Sequence, residues 1–236
     1  MVGKKTMSLA VYEAMCMCFI KGGNDVFNFS HCFLTLEWNL MGRAENCVKA
    51  HVKHICWTDD ALVLKFAKHK GDQTENNADK EWHVYANPHK PHICPILALA
   101  KYVFSNPGTL CSPYIDDGNK IFPGTRQYQG FMDSINRVVA VEAKDVTSAL
   151  SRLGIFPGLL GSHSARKGAC THVSSRTTYS PPIVSVCLHA CWTMGSVKDK
   201  YLHFERAGDQ YCGRTATGMD PSTTYVGLSS LFTAYG

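Results

Sequence analysis

His163 and Arg166 stand three residues apart in His163-Ser164-Ala165-Arg166-Lys167-Gly168, with Trp192 further on and Tyr201 nine residues after it. On a helix that spacing places both side chains on one face, where they can donate to a single anion. An indole N–H only donates, so Trp192 can bind an oxyanion but cannot act as a base. A free phenol ionises near pH ~10, so Tyr201 becomes a nucleophile at neutral pH only beside positive charge that stabilises its phenolate. Together these residues describe covalent attack on a phosphate ester. A lone H-x-x-R is common by chance, and a single tryptophan at an apolar helix end is ordinarily core, so the surrounding elements decide.

Residues 7–20 run without a breaker to Gly22-Gly23, which predicts a helix and its stop signal. Ser30 is placed to N-cap a second helix over HCFLTLEWNLMGR, with Phe33, Leu36 and Leu40 at core spacing. That helix ends near Gly42 and leaves Arg43 at a turn. From about 52 to 86, HICW, ALVLKFAKH and WHVYANP read as a small antiparallel sheet whose polar hairpin tip is KGDQTENNADKE. Helices are expected over CPILALAKYVF (Pro95 in its first turn), YQGFMDSINRVVAVEA, VTSALSRLG closing at Gly154, HSARKGACTHVSSR, and SPPIVSVCLHACW opened by Ser180-Pro181. A last helix, SVKDKYLHF, carries Tyr201. The turn-rich connection before residue 125 ends in a short extended IFPG. Beyond residue 206, GDQYCGRTATGMDPSTTYVGLSS loses helical periodicity and reads as an irregular tail that can pack on the body or a neighbour. The fold class is mainly α with one small antiparallel β-sheet (α+β).

At 236 residues the chain can bury a full core, and 45% apolar against 18% charged residues argues against disorder across it. A formal charge of +5 permits a polyanionic partner without demanding one. Eleven cysteines follow an opening, MVGKKTMSLA, that has no apolar run before a small-residue cleavage site. They read as free thiols in a reducing compartment. Zinc spacing is absent: Cys16-x-Cys18 is too close, Cys187-x3-Cys191 has no second pair, and strand alternation would split His51, His54 and Cys56 between faces. No stretch reaches the ~18 apolar residues of a transmembrane helix.

The ordered set Arg43, a hairpin lysine, His163-x-x-Arg166, Trp192 and Tyr201 resembles the catalytic domain of the tyrosine recombinases, the phage integrase family, and most nearly the Crypton-type transposon recombinases. The resemblance runs from about residue 7 to 206. It implies the DNA breaking-rejoining fold for 1–206, with 207–236 a C-terminal tail, and on this reading the family's N-terminal core-binding domain is absent from the chain. Arg43 and Arg166 then clamp the nonbridging oxygens of the scissile phosphate, which suits the planar guanidinium fork. His163 donates to the phosphate or exchanges protons with the nucleophile, and Trp192 fills a donor position given to His or Trp. Tyr201 forms a 3′-phosphotyrosine. Lys70, beside Gly71 at the hairpin turn, is favoured as the acid that protonates the leaving 5′ oxygen, with Lys68 its rival.

The resemblance further implies double-stranded DNA as partner, a homotetramer on that DNA, no membrane, and no cofactor or metal, because two arginines neutralise the phosphorane. It places the protein in the nucleus of a eukaryotic host and otherwise inside the cell. Relaxation of DNA in the manner of type IB topoisomerases is a neighbouring outcome of the same chemistry. A domesticated or truncated transposon remnant that binds DNA or protein without cutting is the alternative of a different class. Cys191, where the family often has glycine, departs from the pattern.

Overall fold

Ser8 starts the first helix, its hydroxyl accepting the Val11 N–H, and α1 (Leu9–Gly22) stops at Gly23, whose φ of 59° is left-handed. These are features of a computed structural model that describes residues 4–58, 60–65, 80–107, 120–161, 163–175, 180–192, 194 and 206–219. Helix α2 (Asp25–Asn39) follows at once, because Asn24 accepts the Phe27 N–H and serves as N-cap. The sequence expectation of Ser30 as cap is therefore corrected. Ser30 lies inside α2, and its hydroxyl is spent on the Val26 carbonyl one turn back.

From Ser30 to Leu40 every residue of the α2 segment is buried, so this helix is the axis of the molecule. Trp38 stacks on Tyr12 of α1 with ring centroids 4.1 Å apart, and Phe33 meets Phe122 and Phe131. The chain leaves α2 through Met41, at φ 43°, and re-enters helix at once. Arg43 is the backbone N-cap of a short α3 (Ala44–Val48) that periodicity did not announce.

The three-stranded antiparallel sheet is ordered β1 (Ile55–Thr58), β2 (Ala61–Lys65), β3 (Glu81–Val84). Its register pairs Leu64 with Trp82 and Lys65 with Glu81, where the expected hairpin leaves the sheet. Trp82, His83 and Val84 are all buried, so β3 is covered on both faces. Four helices then follow at the expected places: α4 (Pro95–Ser105), α5 (Gln127–Glu142), α6 (Ala149–Arg152) and α7 (Ser164–Ser175). The expected extended IFPG forms no strand; the residue before it, Lys120, makes one isolated bridge with His51, and the Ile121 N–H meets the Ala50 carbonyl. Helix α8 (Ile183–His189) is shorter than expected, because Cys191 takes a φ of 52° and turns the chain before Trp192.

A further helix, α9 (Arg206–Thr217), occupies the start of the stretch read as an irregular tail, and this is the largest correction. Gly208 and Gly213 depress its intrinsic propensity, yet packing requires Gly213. A Cβ there would overlap the His83 carbonyl and press on the Tyr85 ring. Asp209, Cys212 and Ala216 are buried along the same side, so tertiary contact overrides propensity. The expected last helix over SVKDKYLHF lies outside the described residues.

Ten cysteines are described, and all are free thiols. No described helix is long and apolar enough to cross a membrane. Among the described residues no group of His, Cys, Asp and Glu could hold a metal ion.

Candidate functional site

Four of the residues singled out by type and spacing are described: Arg43, His163, Arg166 and Trp192. Lys70, its rival Lys68, and Tyr201 lie outside the described residues.

Helix α7 is anchored at its start. Met7 donates its N–H to the Ser164 carbonyl at 3.1 Å, and the Ser164 hydroxyl accepts the Gly161 N–H at 2.9 Å. Gly168 permits that approach, since a Cβ there would overlap the Met7 carbonyl and touch Trp38. The glycine of the HSARKGA word thus has a packing role. His163 sits just outside the helix. Its carbonyl accepts the Lys167 N–H at 3.0 Å while its side chain remains exposed. Arg166 is the third residue of α7, at the helix end whose unpaired N–H groups favour an anion.

Arg166 is only 8% exposed and donates from Nη2 to the Ala190 carbonyl at 2.5 Å. Its guanidinium carbon lies 6.0 Å from the Trp192 ring centroid, within cation–π reach. Burial pulls its pKa down from the usual value. Nearby Arg43 pulls the same way, while Cys170, Cys191 and Glu37 pull against them. Arg43 is exposed and close enough to Arg166 to be felt as a like charge. Among the described residues neither arginine pairs with a carboxylate. The Trp192 side chain is 41% exposed, so it is not a core tryptophan.

Glu37 was not singled out from sequence. It is fully buried in α2, both carboxylate oxygens lack a hydrogen-bond partner, and burial pushes its pKa well up despite the opposing charge of Arg166. The raised pKa favours the neutral form of this carboxyl and so weakens it as a counter-charge to Arg166. The only signal in the sequence was the single acid in Leu34-Thr35-Leu36-Glu37-Trp38-Asn39-Leu40.

A second cluster was also missed. Asp209 of α9 accepts from the His83 N–H at 2.8 Å, from His83 Nδ1 at 2.8 Å and from His189 Nδ1 at 2.6 Å. All three residues are at most 2% exposed. Burial alone would raise the Asp209 pKa. The charge of His189 and the hydrogen bonds from both histidines overcome it and hold the carboxyl below its usual range. His189 Nε2 meets the Asn39 carbonyl at 3.0 Å. Asp209 and the Asn39 carbonyl only accept, so a ring making both bonds carries a proton on each nitrogen.

A groove of about 1100 Å³ between α1, α5 and α6, lined by Glu13, Lys21, Arg137 and Glu142 among others, shares no residue with either cluster. It is open and of mixed charge, and although its Cys18 thiol is hydrogen-bonded to Glu142, burial first and that carboxylate second push the thiol up to about 11, away from the reactive thiolate. The cationic cluster is the better candidate because Arg166 sits beside Trp192 under the like charge of Arg43 and neither arginine has a carboxylate partner among the described residues. Neither a protein-family model nor a curated protein matches the chain.

Proposed function

We propose that this chain is a DNA breaking-rejoining enzyme of the tyrosine recombinase type, acting on a phosphodiester held by Arg43, Arg166, His163 and Trp192. The observation that carries the reading is the setting of Arg166. Its guanidinium is 8% exposed, is held by the Ala190 carbonyl and lies 6.0 Å from the Trp192 ring centroid. It forms no ion pair with a carboxylate among the described residues, while Arg43 acts on it as a like charge. Like charges held together cost free energy unless an anion joins them. A phosphate at the start of α7 would remove that cost, adding the helix-end N–H groups to the two guanidinium forks.

In this mechanism the Tyr201 phenol oxygen attacks phosphorus and the 3′-side P–O bond to tyrosine forms. The bond to the 5′ oxygen breaks, and the hairpin lysine, Lys70 or Lys68, protonates that oxygen. The phenol proton leaves to His163 or to solvent. The arginines bear the extra negative charge of the five-coordinate transition state, which is where their free energy is realised. Because the phosphotyrosine keeps the ester, an incoming 5′-hydroxyl can reverse the step and join strands. Recombination and integration of DNA are the biological outcomes of that exchange, with double-stranded DNA the partner and a tetramer the working assembly.

The test uses a pool of short duplexes of randomised sequence, nicked so that the fragment freed with its 5′-hydroxyl diffuses away. The parent accumulates a denaturation-resistant protein–DNA adduct, and Tyr201→Phe does not. An adduct that survives Tyr201→Phe, or DNA binding with no adduct from the parent, overturns the reading. The second result leaves a binding module.

A further inference from the structure

We propose that His189 and Asp209 are positioning residues of the phosphodiester site, fixing the turn that presents Ala190 and Trp192 to Arg166. The inference rests on the reading of that site given above. It begins from a single residue held by three elements. The ring of His189 bridges Asp209 of α9 and the Asn39 carbonyl at the end of α2, and its own carbonyl accepts the Trp82 indole N–H of β3 at 2.9 Å. The next carbonyl along the chain, Ala190, is the one that holds Arg166. Cys191 then turns left-handed, and the Trp192 N–H closes back on the Cys187 carbonyl at 2.8 Å. One peptide therefore separates the buried hub from the Arg166 guanidinium.

Each arm of the hub leads to a part of the proposed chemistry. Asn39 lies four residues before Arg43, and Asp209 lies eight residues after Tyr201. His83, which gives Asp209 both its N–H and its Nδ1, is on β3, the strand that follows Lys68 and Lys70 in the sequence. Gly213 sits one turn beyond Asp209 and lets α9 come close enough for these bonds to form. Charged hydrogen bonds are directional in a way that apolar packing is not, so they hold the His189 ring in one orientation. Placement matters because an error of about 1 Å at reacting groups costs on the order of 100-fold in rate.

The test compares the full chain with Asp209→Asn, in which the amide cannot accept from both histidines and the His83 N–H together. Single-turnover adduct formation on the nicked-duplex pool should fall about 100-fold. Affinity for the same duplexes should change much less than cleavage, since only the contacts to one phosphate depend on the Arg166–Trp192 turn. The indole resonances of Trp192 and Trp82 should shift while that of Trp57 stays in place. Unchanged cleavage together with an unmoved Trp192 resonance overturns the inference. If the parent forms no adduct, the reading of the site fails. The inference is then decided by the Trp192 resonance alone, where a shift sustains the link from Asp209 to Arg166 and no shift removes it. If Asp209→Asn does not fold, the ¹⁵N spectrum of the parent decides. Two protonated ring nitrogens on His189 support the hub, and one bare nitrogen overturns it.

Discussion

Two clusters of charge meet at residues 189–192 and are treated in opposite ways. In the buried cluster, Asp209 faces His83 and His189, and burial goes with almost complete pairing, His83 Nε2 being the ring nitrogen left without a partner. In the exposed cluster, Arg166 lies beside Trp192 under the like charge of Arg43, with His163 and Lys167 exposed at the start of α7, and no ion pair with a carboxylate forms among the described residues. Burying an unpaired charge is costly, so folding alone explains why the first cluster is neutralised. Folding does not explain why the second is left cationic. The first cluster belongs to architecture, and the proposed function gives the second an anionic ligand.

The largest expected effect breaks the buried side. Asp209→Asn should lower unfolding stability by about 3–5 kcal/mol, as removing one partner of a buried charge pair does. Chemical denaturation at pH 7 measures it. Because the Asp209 pKa is depressed in the folded state, its contribution is complete above the unfolded carboxylate value of about 4 and is lost as pH falls further. A cost near zero would mean that the two histidines do not depend on this carboxylate.

Breaking the exposed side should show in chemistry. Arg166→Ala is expected to reduce single-turnover cleavage by about 10²–10³-fold, the usual loss of one charge-stabilising donor. Arg166→Lys should recover little, since an ammonium cannot reproduce the planar fork. Cleavage by Arg166→Lys at the parental rate would reduce Arg166 to a point charge.

His31 sharpens the comparison as a buried group away from both clusters. Burial lowers its pKa to about 4, and its Nε2 meets the His92 carbonyl at 2.7 Å. The unfolded chain binds this proton more readily, so stability should fall as pH drops from about 6.5 to 4, by about 3 kcal/mol in all. The difference between parent and His31→Leu across that range isolates the contribution, and a flat difference would contradict it.

The smallest effect concerns Glu37, whose raised pKa works in the opposite direction. The folded state holds its proton above the unfolded value of about 4.3, so this residue costs stability as pH rises. Stability of Glu37→Gln relative to the parent should therefore grow from pH 5 to pH 8. A relative stability that declines over this interval would show that Glu37 is ionised beside Arg166.

The elements were largely legible where local signals agree with packing. Ser8 and Gly23 bracket α1, Pro95 opens α4, and the apolar runs around Val63 and His83 mark strands. The start of α2 was misplaced because Asn24 and Ser30 are both good caps, and only the depth of burial of Ser30 decides between them. Helix α9 was missed because its glycines look like breakers until the His83 carbonyl is seen beside Gly213. At the site, the Arg166 guanidinium carbon and the Trp192 ring centroid lie 6.0 Å apart, a proximity that the family resemblance implied and that no spacing between them announced. Asp209, His83 and His189 carried no sequence signal, since they are 126 and 20 residues apart and meet only through the fold.

The most direct measurement is the identity of the residue that becomes attached to DNA. Peptide mapping by mass spectrometry of the adduct trapped on nicked duplexes should place a 3′-phosphonucleotide on Tyr201, with the adduct lost in Arg166→Ala at early times. Attachment to another residue, or a Tyr201 adduct formed equally fast without Arg166, would contradict the assignment of the exposed cluster to phosphate.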